Sequence, residues 1–388
     1  MKYRTDKNGR EISCLGFGCM RLAHKGRDID LDATKEQIHK AIELGVNYFD
    51  TAYIYPGSEE ALGKVLQDPG MRDKVYIADK LPQYMIKSNA AIQRYFQEQL
   101  KRLQTGHIDY YLMHMLTDVE AWNNLKKRGI LEWIDEKKKS GAIGNIGFSF
   151  HGNTEMFLKI LNDYDWDMCQ IQYNYMDENS QAGREGLMEA AKRGIPVVIM
   201  EPLRGGKLVS LLPEKAKKRI AESGRTPAEL AFRWLWDQPE VTCVLSGMNT
   251  LEMVEENATT ASMEEKLSSD DMKLIEEVKT LINEKIKVPC TGCGYCMPCP
   301  QGVDIPQAFR CWNEMYMENK RAGRFEYFQV VGMRKEPSFP SQCIACGRCE
   351  SHCPQHIHII EMLKAADKDL RPLPNKVAMK IASKFMLH

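Results

Sequence analysis

The chain has 388 residues, with 53 basic and 53 acidic side chains and a formal net charge of zero. This balance gives no basic excess of the kind that binds nucleic acid, and no apolar run approaches the roughly 20 residues needed to span a bilayer. Because the first residues are polar and contain no apolar signal core, the sequence predicts a cytoplasmic protein, with no nucleic acid and no membrane as a partner.

Short apolar runs alternate with longer amphipathic runs over the first two thirds of the chain. The polar start predicts a small hairpin that turns at Asn8-Gly9. Residues 226–229 read as a capping box that opens a helix through Leu235. The strand-like runs are residues 15–20, 47–50, 75–79, 108–114, 145–150, 168–174, 196–200 and 242–247. Eight β/α units predict a closed (β/α)8 TIM barrel rather than an open doubly wound sheet.

Two cysteine runs mark the C-terminal part, which follows a predicted helix from Ser269 to Asn283. The runs are Cys290, Cys293, Cys296 and Cys299, and Cys343, Cys346, Cys349 and Cys353, each followed by proline. Cysteines at this spacing are the ligand pattern of a 4Fe–4S cluster of the bacterial ferredoxin type. Helical patterns at 305–320 and 324–331 fill the spacer. We therefore predict a barrel over 1–284 and a small, mainly helical ferredoxin-like iron–sulfur domain with a helical tail over 285–388.

The ligand sets follow from a rule of two-cluster ferredoxins, in which the fourth cysteine of each run binds the other cluster. One set is then Cys290, Cys293, Cys296 and Cys353, and the other is Cys343, Cys346, Cys349 and Cys299. The second run has the full ferredoxin spacing, whereas the first has only two residues before its last cysteine. Two clusters are favoured over one cluster on the second run or a structural zinc site. Their role is electron transfer, sensing or the stability of the domain.

Polar residues follow the ends of three consecutive predicted strands in the barrel, where working residues lie in this fold. Asp50, Lys80 and His114 end the second, third and fourth strands, and Tyr55 follows Asp50 in a loop. We expect the lysine to lower the pKa of the tyrosine, the aspartate to hold the lysine, and the histidine to orient a carbonyl oxygen. Such a set suits proton delivery to a carbonyl while a nicotinamide supplies hydride.

Residues 45–66, GVNYFDTAYIYPGSEEALGKVL, closely resemble the aldo-keto reductase signature, in which the aspartate and tyrosine lie five residues apart. Further segments that resemble this family are 108–116, around its histidine, and 171–177, 200–208 and 245–260, on its cofactor side. The resemblance extends over about residues 1–265. It implies a catalytic tetrad of Asp50, Tyr55, Lys80 and His114, with Tyr55 as the general acid.

The resemblance also implies the residues that contact a nicotinamide cofactor. Ser149 and Gln172 are expected at the carboxamide, and Glu256 and Asn257 near the adenine. Phe150 stands where family members usually have asparagine, so one carboxamide hydrogen bond is not expected here.

Family members that prefer NADPH carry basic residues after the eighth strand, because a guanidinium binds the 2′-phosphate through two hydrogen bonds. The corresponding positions here are Gly247, Met248 and Met253. The sequence therefore predicts NADH at least as readily as NADPH.

The resulting prediction is an aldo/keto reductase-type oxidoreductase that reduces a carbonyl, or a related polarised double bond, of a small substrate with NAD(P)H. Nicotinamide transfers two electrons as hydride and each cluster transfers one, so a bound flavin and a redox partner protein stay open. One alternative is a redox-sensing or electron-carrier protein whose barrel is a binding scaffold. Another is a reductase driven by ferredoxin or flavin that uses no nicotinamide.

Overall fold

The computed structural model describes residues 1–263, 265–290, 292, 294, 296–317, 320–328, 331, 338–353 and 355–372. Two compact units divide the chain, one from Met1–Leu208 with Arg225–Met272 and the other from Val209–Gly224 with the chain from Lys273 onwards. The predicted ligand Cys293 and the end of the predicted helical tail lie outside the described residues. The domain boundary after residue 284 stays a prediction.

Eight parallel strands close into a barrel in the first unit, as the sequence predicts. The strands in chain order are β1 (Tyr3–Thr5), β2 (Glu11–Ser13), β3 (Leu15–Gly18), β4 (His24–Lys25), β5 (Asp28–Ile29), β6 (Tyr48–Asp50), β7 (Tyr76–Leu81), β8 (Ile108–Leu116), β9 (Ile143–Phe150), β10 (Met168–Gln172), β11 (Val197–Met200) and β12 (Val241–Ser246). Around the barrel the order is β3-β6-β7-β8-β9-β10-β11-β12, and β12 pairs with β3 to close it. Each barrel strand except the last thus pairs with the barrel strand that follows it along the chain.

Helices follow the barrel strands and continue into the second unit. Those of the described chain are α1 (Leu31–Glu43), α2 (Ser58–Leu66), α3 (Asn89–Leu103), α4 (Val119–Lys126), α5 (Ile130–Lys139), α6 (Thr154–Asp163), α7 (Gly183–Lys192), α8 (Lys207–Ser210), α9 (Glu214–Glu222), α10 (Pro227–Trp236), α11 (Leu251–Ser262), α12 (Ser269–Asn283), α13 (Ile305–Met317), α14 (Lys320–Tyr327), α15 (Arg348–Ser351) and α16 (Ile359–Leu370). No helix within these described ranges is both long and apolar enough to cross a membrane.

Capping side chains fix where several barrel helices begin. Asp30, Ser88, Asp118, Asn153, Thr226 and Thr250 each accept a hydrogen bond from the backbone N–H three residues on. Such a bond satisfies one of the N–H groups left free in the first turn. The predicted start of α10 is confirmed, but Glu229 binds Arg225 and Arg233 through its carboxylate. It therefore does not complete the predicted capping box.

The N-terminal hairpin and the barrel interior share one apolar cluster. Strands β1 and β2 pair antiparallel, and Gly9 takes a positive φ of 78° in the turn between them, where glycine meets no Cβ clash. The cluster is Ile12, Tyr48, Ala78, Tyr110, Leu112, Met168, Val198, Cys243 and Leu245. Ile12 of the hairpin thus packs with side chains of six barrel strands in the barrel interior. The polar side chains of the predicted tetrad lie at or beyond the C-terminal ends of the strands.

Three helices, α13, α14 and α16, form the core of the second unit. The buried side chains are Val288, Val303, Ile305, Ala308, Phe309, Cys311, Trp312, Met315, Tyr327, Val331, Ile357, Ile359, Leu363, Ala366 and Leu370. Six cysteines of the two runs are partly buried against this core: Cys290, Cys296, Cys299, Cys343, Cys349 and Cys353. The predicted helical spacer is confirmed by α13 and α14.

Candidate active site and cysteine cavities

A buried ion pair joins the ends of β6 and β7. Lys80 Nζ lies 2.6 Å from Asp50 Oδ1 and donates a second hydrogen bond to the backbone oxygen of Thr51 at 2.7 Å. Gln170 on β10 donates to the other carboxylate oxygen, Asp50 Oδ2, at 3.0 Å. Burial raises the pKa of Asp50, although Lys80 opposes this shift. Because both oxygens of Asp50 and two donors of Lys80 are held, the lysine ammonium has a fixed position.

Tyr55 and His114 meet beside this ion pair. Lys80 Nζ lies 5.2 Å from the centre of the Tyr55 ring. The Tyr55 and His114 rings are 6.1 Å apart between centroids and nearly perpendicular. The barrel therefore brings together all four residues that the sequence singles out, although they come from three strands and one loop.

The pKa of Tyr55 shifts opposite to the sequence-based expectation. Burial of the phenol raises its pKa, and this effect exceeds the lowering by the Lys80 ammonium. Burial alone would lower the pKa of Lys80, but the Asp50 carboxylate and Tyr55 outweigh it and raise that pKa. The expectation of a lowered tyrosine pKa is wrong in net direction. The phenol and the ammonium both keep their protons at neutral pH.

A bulge in β8 positions His114. Met113 pairs with Phe148 and Leu116 with Phe150, so one extra residue is accommodated in β8. Met115 in this bulge has a φ of 54°. Burial, then Lys80 and His151, lowers the pKa of His114 to about 2. The imidazole is therefore neutral and can donate a hydrogen bond without carrying charge.

Ser149 and Gln172 present polar groups that fit a carboxamide. Ser149 Oγ accepts from the Met115 N–H at 2.8 Å, which leaves the serine hydroxyl hydrogen for another acceptor. Gln172 Nε2 donates to Asp177 at 3.0 Å, while its buried Oε1 has no hydrogen-bond partner within the described chain. One donor and one acceptor are what the C=O and NH2 of a nicotinamide carboxamide require. The residues present therefore fit this part of the cofactor.

The two residues predicted near the adenine differ in exposure. Glu256 on α11 is exposed, and its carboxylate accepts from the Thr226 hydroxyl at 2.6 Å. Asn257 is buried and donates to Ser246 Oγ on β12 at 3.1 Å. The structure thus anchors Asn257 to a barrel strand and directs Glu256 towards α10. Contact of either residue with a cofactor stays a prediction.

Sequence reasoning missed polar residues behind the tetrad. Gln170 lies two residues before Gln172 on the same strand, and the alternation of side chains along a strand could have identified it. Asp79 and Glu59 form a buried carboxyl pair on the other face of β7. The signal for Asp79 was an acidic residue directly after the apolar run of residues 75–78. Asp177, which holds Gln172, follows β10 in a loop and has no such signal.

The cysteine runs of the second unit line two separate cavities. The first cavity is lined by four cysteines besides Cys296: Cys299, Cys343, Cys346 and Cys349. The second cavity is lined by Cys290, Cys296 and Cys353. Each cavity thus takes the last cysteine of the opposite run, as the cross-ligation rule predicts. A tetrahedral zinc site closes its thiolates directly around one ion, whereas the cysteines of the two runs are divided between two cavities.

The backbone of the second run also fits a cluster. Ala345 donates its N–H to Cys343 Sγ at 3.4 Å. Ala345 and Gly347 have positive φ values of 56° and 76°, which turn the chain sharply between cysteines. Hydrogen bonds to sulfur are one of the means by which a protein tunes an iron–sulfur cluster.

Two known families match the chain over separate ranges. Residues 14–280 match the Aldo/keto reductase family, and residues 289–358 match the 4Fe-4S dicluster domain. The solved structure of the aldo-keto reductase AKR11C1 from Bacillus halodurans, in its holo form, is 26% identical with a TM-score of 0.60. The alignment covers 72% of this chain and 96% of that one.

Curated relatives resemble the same part of the chain. The 9,11-endoperoxide prostaglandin H2 reductase of Trypanosoma cruzi is 27% identical, over 71% of this chain and 90% of the relative. L-galactose dehydrogenase of Arabidopsis thaliana is 25% identical, over 69% and 90%. The uncharacterized oxidoreductase YrpG of Bacillus subtilis is also 25% identical, over 70% and 94%.

Proposed function

The chain belongs to the aldo/keto reductase family of oxidoreductases, and from this premise we propose that it reduces a carbonyl, or a related polarised double bond, of a small molecule with NADH or NADPH. The observation that carries the proposal is the Lys80–Asp50 ion pair beside Tyr55 and His114. These groups converge where the strands of a TIM barrel end, which is where such barrels place their chemistry.

Tyr55 is the proposed general acid. Its buried phenol keeps its proton at neutral pH and can pass it to a carbonyl oxygen as negative charge develops there. The nearby Lys80 ammonium stabilises the phenolate that this transfer leaves behind. His114, neutral in its buried position, donates a hydrogen bond that orients the same carbonyl oxygen.

Reduced nicotinamide, when bound, supplies the hydride for this reaction. Ser149 and Gln172 would hold its carboxamide through the free hydroxyl hydrogen and the free amide oxygen. Glu256 and Asn257 are the proposed adenine-side residues. Met248 is buried and Met253 is exposed, and neither offers a charge for a 2′-phosphate, so NADH is at least as good a candidate as NADPH.

The second unit is proposed to carry two 4Fe–4S clusters, each of which supplies or accepts one electron when bound. The ligand sets are those of the cross-ligation rule: Cys290, Cys293, Cys296 and Cys353, and Cys343, Cys346, Cys349 and Cys299. The two cysteine-lined cavities support this number. Because hydride carries two electrons and a cluster one, direct exchange between them needs a radical or a flavin between the two. The clusters therefore supply a bound flavin or a redox partner protein, or they serve stability or sensing.

Anaerobic purification followed by titration with NADH tests the proposal. We expect about eight irons per chain, together with NADH oxidation by at least one member of a panel of aldehydes and ketones, and loss of that oxidation in Tyr55→Phe. The proposal fails if neither NADH nor NADPH is oxidised with any carbonyl and Tyr55→Phe changes no property of the protein.

A reductase driven by its clusters without nicotinamide is the second candidate. The uncharged positions Gly247, Met248 and Met253 favour it, because they offer no phosphate clamp. In that case the substrate would oxidise chemically reduced clusters and restore their visible absorbance, whereas NADH and NADPH would leave oxidised clusters unchanged. The same anaerobic titration separates the two candidates.

A further inference from the structure

Asp79 and Glu59 form a buried acid pair on the outer side of β7. Asp79 lies on β7 and Glu59 is the second residue of α2, and both residues have 0% exposure. The two carboxyl groups interact directly with each other. Lys80, the next residue after Asp79, points its side chain into the barrel. The pair therefore lies directly behind the lysine of the proposed active site.

The hydrogen bonds around this pair balance only when the pair holds one proton. Asp79 Oδ1 accepts from the Lys80 backbone N–H at 2.7 Å, and Glu59 Oε2 accepts from Arg102 at 2.8 Å. Asp79 Oδ2 and Glu59 Oε1 are buried and find no donor within the described residues. Two carboxylates in contact cannot both be ionised at low cost. A proton on Asp79 Oδ2, donated to Glu59 Oε1, satisfies both atoms.

The same network holds the backbone of Lys80 on both sides. Gln99 on α3 donates to the Lys80 carbonyl oxygen at 3.1 Å and accepts from the Tyr111 hydroxyl at 2.6 Å. Asp79 holds the N–H of the same residue. Lys80 is thus fixed at its peptide groups from outside the barrel and at its ammonium by Asp50 from inside.

We propose that Asp79 and Glu59 share one proton, and that this protonated pair positions Lys80 for the reaction. The proposal rests on the proposed role of Lys80 in carbonyl reduction. Asp79 and Glu59 are positioning residues, because they act through the lysine backbone and touch no reacting atom. Charged or titratable groups that act on the pair or on its partner Arg102 are Cys19, Tyr55, Glu60, Lys80, Glu98, Arg102 and Tyr111.

A shared proton has a definite effect on stability. Burial, and then the charge of Glu59, raises the pKa of Asp79 well above its ordinary value. The folded state therefore binds a proton that the unfolded state has released above about pH 4. The pair's contribution to stability is present below that pH and is lost as the pH rises towards the raised pKa. Asn in place of Asp79 keeps a donor and an acceptor but carries no proton to lose.

Infrared spectroscopy and denaturation of the intact protein test the shared proton without any turnover. The variants are Asp79→Asn and, as a matched control, Asp109→Asn. Asp109 is also buried and accepts from a backbone N–H of β7, that of Ile77 at 2.9 Å, but its partner is Arg72. We expect a carboxylic-acid carbonyl band at pH 7 in the wild type and in Asp109→Asn that is lost in Asp79→Asn.

The denaturation midpoints should separate with pH. Asp79→Asn should become progressively more stable than the wild type from pH 5 to pH 9, whereas Asp109→Asn should be less stable than the wild type throughout. A wild type without the carboxylic-acid band, or an Asp79→Asn variant that loses stability relative to the wild type as the pH rises, would overturn the shared proton. Neither measurement depends on the proposed function.

Turnover of a carbonyl substrate, once one has been found by its oxidation of NADH, tests the positioning of Lys80. We expect Asp79→Ala to lower kcat at least tenfold with little change in KM for the carbonyl, and Asp79→Asn to restore most of kcat. If Asp79→Ala keeps its kcat, or if Asp79→Asn fails to restore the lost kcat, the pair does not position the lysine.

Discussion

Lys80 donates a 2.6 Å hydrogen bond to Asp50 at the end of the barrel interior, where their side chains are only 2% and 5% exposed. Such a pair is a weak source of net stability, because both charges lose their hydration, but breaking it leaves an uncompensated buried charge. The pair therefore serves to keep an ammonium beside Tyr55 rather than to stabilise the fold.

Removing one partner of the ion pair should be more harmful than removing both. We expect Lys80→Met to lower the free energy of unfolding by about 3–5 kcal/mol, because Asp50 is left charged and buried. The double variant Asp50→Asn with Lys80→Met should recover most of this loss. Urea denaturation at pH 7 measures both values. A double variant no more stable than Lys80→Met would contradict a buried, charged pair.

Tyr55→Phe should lower kcat about 100-fold or more while NADH affinity changes little, since the hydroxyl is needed for proton transfer. Because burial raises the pKa of Tyr55, wild-type kcat should be present at lower pH and fall only above the ordinary tyrosine pKa of about 10. Tyr53→Phe is the matched control, since its hydroxyl binds Glu98 on α3. An alkaline fall near pH 8 would contradict a burial-dominated phenol.

The pH dependence of kcat on the acid side should show no titration of a histidine. The pKa of His114 is lowered to about 2 by burial, Lys80 and His151, so the imidazole stays neutral from pH 5 to pH 8. We expect kcat to vary little across that range, as measured in buffers of constant ionic strength. A fall in kcat below about pH 6.5 that disappears in His114→Gln would show that His114 titrates near its ordinary value.

Asp177 should strengthen nicotinamide binding through Gln172. Asp177 accepts from Gln172 Nε2 and thereby keeps the amide oxygen free for a ligand. We expect Asp177→Ala and Gln172→Ala each to weaken NADH binding about tenfold, the size of one lost hydrogen bond. The double variant should bind no more weakly than Gln172→Ala, as measured by NADH fluorescence.

ADP-ribose, which lacks the nicotinamide, is the control ligand for this pair. Its affinity should be unchanged in Gln172→Ala. Asp177 also pairs with Arg204 at 2.9 Å, so Arg204→Gln is measured beside Asp177→Ala to separate the two contacts. Additive losses in the double variant would mean that Asp177 does not act through Gln172.

Cysteine substitutions should remove clusters in the crossed pattern. Cys299→Ser should alter the cluster held by the Cys343 run, and Cys353→Ser the cluster held by the Cys290 run, because each lines the opposite cavity. Iron content and the electron paramagnetic resonance of the reduced protein distinguish these losses. Loss of the Cys290-run signal in Cys299→Ser would mean that each run binds its own cluster.

The amino-acid sequence alone determined the barrel, the convergence of the tetrad and the position of the cysteine domain. All eight barrel strands were evident as short apolar runs, because alternation and β-branched residues are local properties of the chain. Asp50, Lys80 and His114 could be placed together because parallel strands of a barrel all end at the same rim. The cysteine runs were evident because their spacing carries the ligand pattern of a ferredoxin-type cluster.

Only the tertiary structure decided the electrostatics of the site. Lys80 does lower the pKa of Tyr55, but burial raises it by more, and burial depends on the whole barrel. The bulge at Met115 and the pair formed by Asp79 and Glu59 arise from contacts between different elements. Spacing along the chain does not reveal such contacts, because they depend on how strands and helices pack. These contacts set the protonation of the groups beside Lys80.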